Sequence, residues 1–339
     1  MKAAVFKKRD EMAVIDVPNP VAGTGEVVLK VHNCGICGSD LHAVQYGIGM
    51  AVDTVMGHEF CGEISSMGEG VNGFQLGDRV TALPYIACGL CAWCRRDDAM
   101  HCSKLRSLGL GQLPGAYAEY VACGAASLLK LPDNVSSQAG ALVEPLSVGL
   151  HGVNHSTIEP GMGVVVMGAG PIGLSALIWA KAKGASAVVV SELAAGRTEI
   201  AMKLGASAVI NPTESDPAEA VKEITGRPPE IVFECIGVKS TLGAAIGMVG
   251  RHGQVVVIGV CLESDSIFPL SCVMKEVQIN FALAYTRGEF QETIDALSKG
   301  TIDATPMITD VIDVAQVPEM FAALKRPGTR AKVMVEFPH

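Results

Sequence analysis

The sequence predicts an α/β protein in which a β-rich domain is joined to a doubly wound parallel sheet. Three observations carry this. Strand-like runs separated by glycine-rich turns occupy residues 1–150. Strand and helix patterns alternate from about residue 150 to 280. The chain holds 38 Gly but only 5% aromatic residues, a composition suited to tight strand-to-helix turns. At roughly 100–200 residues per domain, 339 residues make two domains.

In the first region, Glu26–Val31, Phe60–Ser65 and Tyr117–Val121 read as short strands, and their spacing predicts an antiparallel, barrel-like domain. The second region opens with the apolar β run Val164–Met167. Pro171–Lys183 follows as a helix, with Pro just inside its start and Gly184 just past its end. Then come a strand at Ala187–Val190, a helix at Arg197–Leu204 stopped by Gly205, a strand at Ala208–Ile210 and a helix at Pro217–Thr225. Ile231–Cys235, Thr241–Val249 and Val255–Gly259 continue the alternation, and Val277–Leu283 reads as a last strand. Beyond it, Phe290–Leu297 and Val317–Leu324 read as helices and Lys332–Phe337 as a strand. The expected division is residues 1–150, 151–282 and 283–339. The last segment returns to the first domain, because the parallel sheet already has its six strands.

The formal net charge is −9, with no long run of one sign. A basic nucleic-acid footprint is lacking, and an anionic membrane surface is a poor partner. Met1 to Val14 is rich in charge and has no apolar core, so no signal peptide is expected there. Gly161 to Ala180 is free of charge, but Gly163, Gly168, Gly170, Pro171 and Gly173 interrupt it. A buried strand and helix account for it better than a membrane span. Eleven cysteines fit a reducing, cytoplasmic setting, in which clustered thiols serve metals or catalysis rather than disulfides.

Cys88, Cys91, Cys94 and Cys102 form the sharpest local signal. Two gaps of two residues and one of seven let a single loop wrap a tetrahedral Zn²⁺. Four thiolates close the site to substrate, so its role would be structural. A redox pair and an iron–sulfur cluster are the alternatives. Cys37, His58, Glu59 and Glu144 are scattered, and such a mixed set is what an open catalytic zinc site recruits. Each also has an ordinary reading: a small buried thiol, a core histidine, a helix-start acid ahead of Pro145.

Gly168-Ala-Gly170-Pro171-Ile172-Gly173 fits the dinucleotide fingerprint, in the required place between a strand and a helix. Its glycines permit the turn and a close backbone approach, and the helix N-terminus faces the pyrophosphate. Glu192 closes the next strand, where it would bind the ribose hydroxyls and favour NAD over NADP. Arg197 could stack on adenine or pair with a 2′-phosphate.

With these motifs in order, the chain resembles the zinc-containing medium-chain alcohol dehydrogenase family from end to end, and most closely its sorbitol, threonine and butanediol dehydrogenase branch. The resemblance rests on Gly35-Ile-Cys-Gly-Ser-Asp-x-His42, Gly57-His-Glu59, the cysteine cluster, Glu144-Pro-Leu-Ser-Val148 and the glycine fingerprint. It implies a GroES-like catalytic domain, a Rossmann NAD-binding domain and one catalytic and one structural Zn²⁺ per chain. Cys37 and His58 would be zinc ligands, with Glu59 or Glu144 as the third, and Ser39 and His42 match the family's proton-relay positions. The implied reaction oxidises a secondary alcohol, diol or polyol to a ketone, with zinc polarising the substrate oxygen and NAD taking a hydride. A homodimer or homotetramer, paired through Val277–Leu283, is also implied. Around Ala284-Tyr285-Thr286-Arg287 the Arg-Tyr pair of the polyol enzymes is missing or displaced, which favours a less hydroxylated substrate. Gln45, Tyr46, Leu108 and Tyr285 are candidate pocket residues. The competing readings are a metal-free quinone or enoyl reductase and a non-catalytic binding protein on the same scaffold.

Overall fold

The computed structural model describes residues 1–47, 49–326 and 328–338. The chain divides into two units. One comprises Met1–Glu144, Thr286–Ser298 and Ile308–His339; the other comprises Pro145–Tyr285 and Lys299–Met307.

The first unit is built around the strand Glu26–Gly35. This strand pairs antiparallel with Glu59–Met67, Tyr120–Gly124 and Lys332–Glu336. Flanked so fully, it buries seven of its ten residues, and Val27, Leu29 and Val31 enter a core with Phe60, Ile64, Val80, Tyr117, Phe321, Val333 and Val335. Arg79–Ala82 and Leu128–Lys130 extend the sheet on one side. On the other, Ile308–Ile312 joins Lys332–Glu336 in parallel, so the expected antiparallel region carries one parallel pair. The register sets Gly35 opposite Glu59 on one side and Met334 on the other. From that point the chain leaves the sheet and starts the helix Gly38–Tyr46, with Cys37 at its N-cap.

The second unit is a six-stranded parallel sheet. Its order is Ala208–Ile210, Ala187–Ser191, Gly163–Met167, Ile231–Glu234, Gln254–Val257 and Gln278–Phe281. The sequence therefore turns back at its first strand, the switch point of a dinucleotide-binding sheet. Gly163–Met167 and Ala187–Ser191 bury all their residues, as strands covered on both faces must. The uncharged stretch around residues 161–180 is the strand Gly163–Met167 followed by the helix Pro171–Ala182. Among the described residues, no helix is long and apolar enough to cross a membrane.

Local signals place several ends well. The helix Pro217–Thr225 has Asp216 accepting from the Ala218 amide, Pro217 in its first turn and left-handed Gly226 after it. Non-local packing overrides others. Glu144 does not start a helix: Ser137–Asn154 is one helix, with Pro145 inside it. Lys299–Met307 stays with the parallel-sheet unit while the segments on either side of it belong to the first. Cys34, Cys61 and Cys123 are buried as small apolar residues would be, whereas Cys261 is exposed.

Candidate functional site

Cys37, His58 and Glu59 present one ligand atom each, all within 4.8 Å of one another. The strand register brings them together. Ile36 donates its amide to the Val333 carbonyl, which seats Cys37 beside the turn that carries His58. Gly57 in that turn has φ +94°, and an added Cβ would strike the Tyr117 ring at 2.6 Å, so glycine is required there. Ser39 Oγ lies 3.2 Å from Cys37 Sγ and 3.4 Å from His58 Nε2. Cys37 is half-buried and Ser39 exposed, so this set of donors is open on one side.

His58 is oriented by a buried carboxylate. Its Nδ1 lies 3.1 Å from Asp40 Oδ1, which leaves Nε2 as the ligand atom. Asp40 is completely buried, and its Oδ2 accepts from the Cys37 amide at 3.1 Å and the Tyr117 hydroxyl at 2.6 Å. Burial disfavours the charged imidazole, but Asp40 and then Cys37 outweigh burial and hold His58 well above its ordinary value.

Glu59 is tied from the other side. Lys332 Nζ lies 2.7 and 2.6 Å from its two oxygens and 3.0 Å from the Ile36 carbonyl, with both side chains fully buried. Burial opposes the Lys332 charge, yet the Glu59 carboxylate raises its pKa above the usual lysine value. Gly35 leaves the room this needs, since an added Cβ would meet Glu59 Oε2. Glu144 is buried in the same unit but is not brought into the Cys37–His58–Glu59 group. His42 lies one turn beyond Ser39, with its ring against Tyr46 at 6.3 Å. Leu108 is fully enclosed in the core, so it cannot line an open pocket.

The four cysteines also converge, with all sulfurs within 4.8 Å of one another. Cys88 and Cys94 are 3.9 Å apart, and Cys91 and Cys94 3.5 Å. Zinc–sulfur bonds of about 2.3 Å place tetrahedral thiolates roughly 3.8 Å apart, so the donors fit one ion and are too close to enclose an iron–sulfur cluster. Amides of Leu90 and Cys91 point at Cys88 Sγ, that of Cys94 at Cys91 Sγ, and that of Lys104 at Cys102 Sγ. Two such bonds lower the Cys88 thiol to about 6. Leu90 and Trp93 are exposed, so the lobe has little apolar core of its own. The Gly288 amide clamps it through Asp97 Oδ2, and His101 pairs with Asp98 and packs on Trp93.

In the second unit, the fingerprint glycines divide their work. Gly168 turns the chain at φ +89°. An added Cβ on Gly173 would strike the Gly168 carbonyl, so only glycine lets helix and strand pack this closely. An added Cβ on Gly170 would meet nothing within 4 Å, and there the helix N-terminus is open to a ligand phosphate. Pro171 and Ile172 begin the helix. Glu192 accepts from the amides of Ala169, Leu193 and Ala194, which fixes its carboxylate beside this turn. Arg197 stands in the following helix, Ala195–Lys203.

Sequence reasoning passed over Asp40, Tyr117 and Lys332. The one available signal was Lys332 itself, a charge inside the apolar run Ala331–Val335. Arg287 donates to the carbonyls of Ala126 and Leu128.

The profile of the alcohol dehydrogenase GroES-like domain matches residues 23–133, and that of zinc-binding dehydrogenase matches residues 171–299. Sorbitol dehydrogenase of Bacillus subtilis is 34% identical over 99% of this chain and 97% of its own. The crystal structure of 2R,3R-butanediol dehydrogenase from Bacillus subtilis superimposes with a TM-score of 0.90, 31% identity and 99% coverage of both chains. A Sinorhizobium meliloti protein described as a zinc-binding dehydrogenase, bound to NADP, gives 0.91 at 29% identity and 99% coverage of both. Two matching domain profiles in order, with relatives alike along their whole length, show that the chain belongs to the zinc-containing medium-chain alcohol dehydrogenase family.

Proposed function

We propose that the protein is a zinc-dependent, NAD-linked dehydrogenase that interconverts a secondary alcohol or diol and its ketone. The convergence of Cys37, His58 and Glu59 beside the exposed Ser39 carries this reading. Zinc held there would supply Lewis-acid polarisation of the substrate oxygen, and a nicotinamide held by the glycine fingerprint would supply the hydride acceptor or donor. The chain's residues do the rest. Cys37 and His58 hold the metal, Asp40 fixes the His58 ring, and Glu59 is the carboxylate supported best as third ligand, with Glu144 the other candidate. Ser39 holds the hydroxyl proton and passes it towards His42 and solvent. The four-cysteine lobe holds a second, structural zinc. Gly168 makes the turn, Gly173 lets the helix approach the strand, and the backbone at Gly170 receives the pyrophosphate; Glu192 favours NAD over NADP, with Arg197 the residue to watch for a 2′-phosphate.

Arg287 is committed to backbone carbonyls. That supports a less hydroxylated substrate than sorbitol. The strand Gln278–Phe281 is an edge of its sheet, and exposed Phe268, Val273, Met274 and Phe281 lie on it and just before it. These features support a homodimer paired along that edge, or a homotetramer built from such dimers. A cytoplasmic setting suits thiolates that must stay reduced.

The test is NADH formation from a panel of secondary alcohols, diols and polyols by zinc-replete protein, beside Cys37→Ser. Turnover is expected with wild type. The variant should fold, retain one zinc and lose activity. No turnover with any alcohol, or a fully active Cys37→Ser, overturns the reading.

A further inference from the structure

We infer that Tyr117 is a positioning residue of the Cys37–His58 metal site, acting through Asp40. This rests on the functional reading above. Asp40 is a carboxylate with no solvent contact, and each oxygen has a separate task. Oδ1 faces His58 Nδ1, while Oδ2 takes the Cys37 amide and the Tyr117 hydroxyl. The 2.6 Å contact is the length of a charge-assisted O–H···O⁻ bond. The phenol has a single hydrogen, and the charged partner takes it in preference to the Gly35 carbonyl at 3.1 Å. Two donors on Oδ2 therefore set the rotation of the carboxylate, and that rotation aims Oδ1 at the histidine. Burial and the neighbouring Asp40 charge hold the phenol well above its ordinary value, so it remains a donor throughout the physiological range.

The ring itself is placed by packing that a phenylalanine would keep. It lies over Gly57, where no Cβ could stand, and meets Phe321 edge-on at 6.0 Å between centroids. Packing alone thus gives no reason for a hydroxyl in this fully enclosed place. The contact with Asp40 gives one. Without it, Oδ2 would retain only the Cys37 amide, and the imidazole would be held by a less constrained carboxylate. Loss of such an outer partner weakens metal binding by about 10–100-fold.

The experiment uses zinc-loaded full-length protein, with release of each zinc followed by a chelating dye, and cobalt-substituted protein read by its d–d absorption. For Tyr117→Phe, zinc should leave the Cys37–His58 site about 10-fold faster or more. The cobalt band of that site should shift, and release from the cysteine lobe should be unchanged. A folded Tyr117→Phe with wild-type release and spectrum overturns the inference. Should that variant fail to fold, Asp40→Asn is read in the same way. It should lose the site zinc at least as fast, and unchanged release from it is equally fatal. A wild type that holds only the lobe zinc defeats the functional reading itself and this inference with it.

Discussion

The ion pair of Lys332 and Glu59 is expected to matter greatly for stability when broken and little when replaced whole. Both side chains are fully buried, and Nζ contacts both carboxylate oxygens. Lys332→Met removes the cation and leaves a carboxylate enclosed among Gly35, Ile36 and the strand Lys332–Glu336. Breaking a buried pair from one side costs about 3–5 kcal/mol, because the remaining charge is uncompensated. For a folding unit of ~150–250 residues, each kcal/mol lowers the melting temperature by about 2–4 °C, so a fall of roughly 6–20 °C is expected. The double variant Lys332→Met/Glu59→Gln leaves neither charge and should recover most of that loss. Differential scanning calorimetry on the single and double variants completes the cycle. A loss below about 1 kcal/mol in Lys332→Met, or a double variant as unstable as the sum of the singles, would refute the reasoning. A milder loss in zinc-loaded than in zinc-stripped protein is also expected, since a nearby metal ion would itself compensate Glu59.

Two further outcomes concern the cysteine lobe. Cys94→Ser should release one zinc per chain and make residues 88–102 sensitive to protease, at a cost of roughly the 2–5 kcal/mol lost with a small domain's covalent staple; unchanged melting and metal content would exclude a structural zinc there. In metal-stripped protein at pH 7, Cys88 should alkylate well before Cys94. Amide donors lower Cys88 to about 6, while burial and the Cys91 thiol push Cys94 up to about 12. The rate at Cys88 should fall as pH drops through about 6, because its thiolate is then protonated. Mass spectrometry reads this, and equal labelling of the two would count against it.

What the sequence determined was local. The helix Pro217–Thr225 matched its expected ends because its cap, proline and glycine all lie within the segment. The dinucleotide turn was legible for the same reason, since one strand, one turn and one helix N-terminus hold every part of it. Cys88, Cys91, Cys94 and Cys102 needed only their own spacing. Pro145 misled, because its neighbours alone do not reveal that the helix Ser137–Asn154 continues through it.

Tertiary structure decided which side chains meet across the sheet. Lys332 reaches Glu59 across 273 residues of chain, and Tyr117 reaches Asp40 across 77. The first follows from the register of Glu26–Gly35, which sets Gly35 against Glu59 and Met334; the second joins the helix Gly38–Tyr46 to the segment just before Tyr120–Gly124, a strand that pairs with Glu26–Gly35 as well. Strand register is a property of two segments at once, and a shift of one residue would turn every side chain to the other face. No composition, spacing or motif within either segment encodes it. The order of the motifs therefore sufficed to recognise the family, while the buried groups that orient His58 and tie down Glu59 emerge only when the strands are paired.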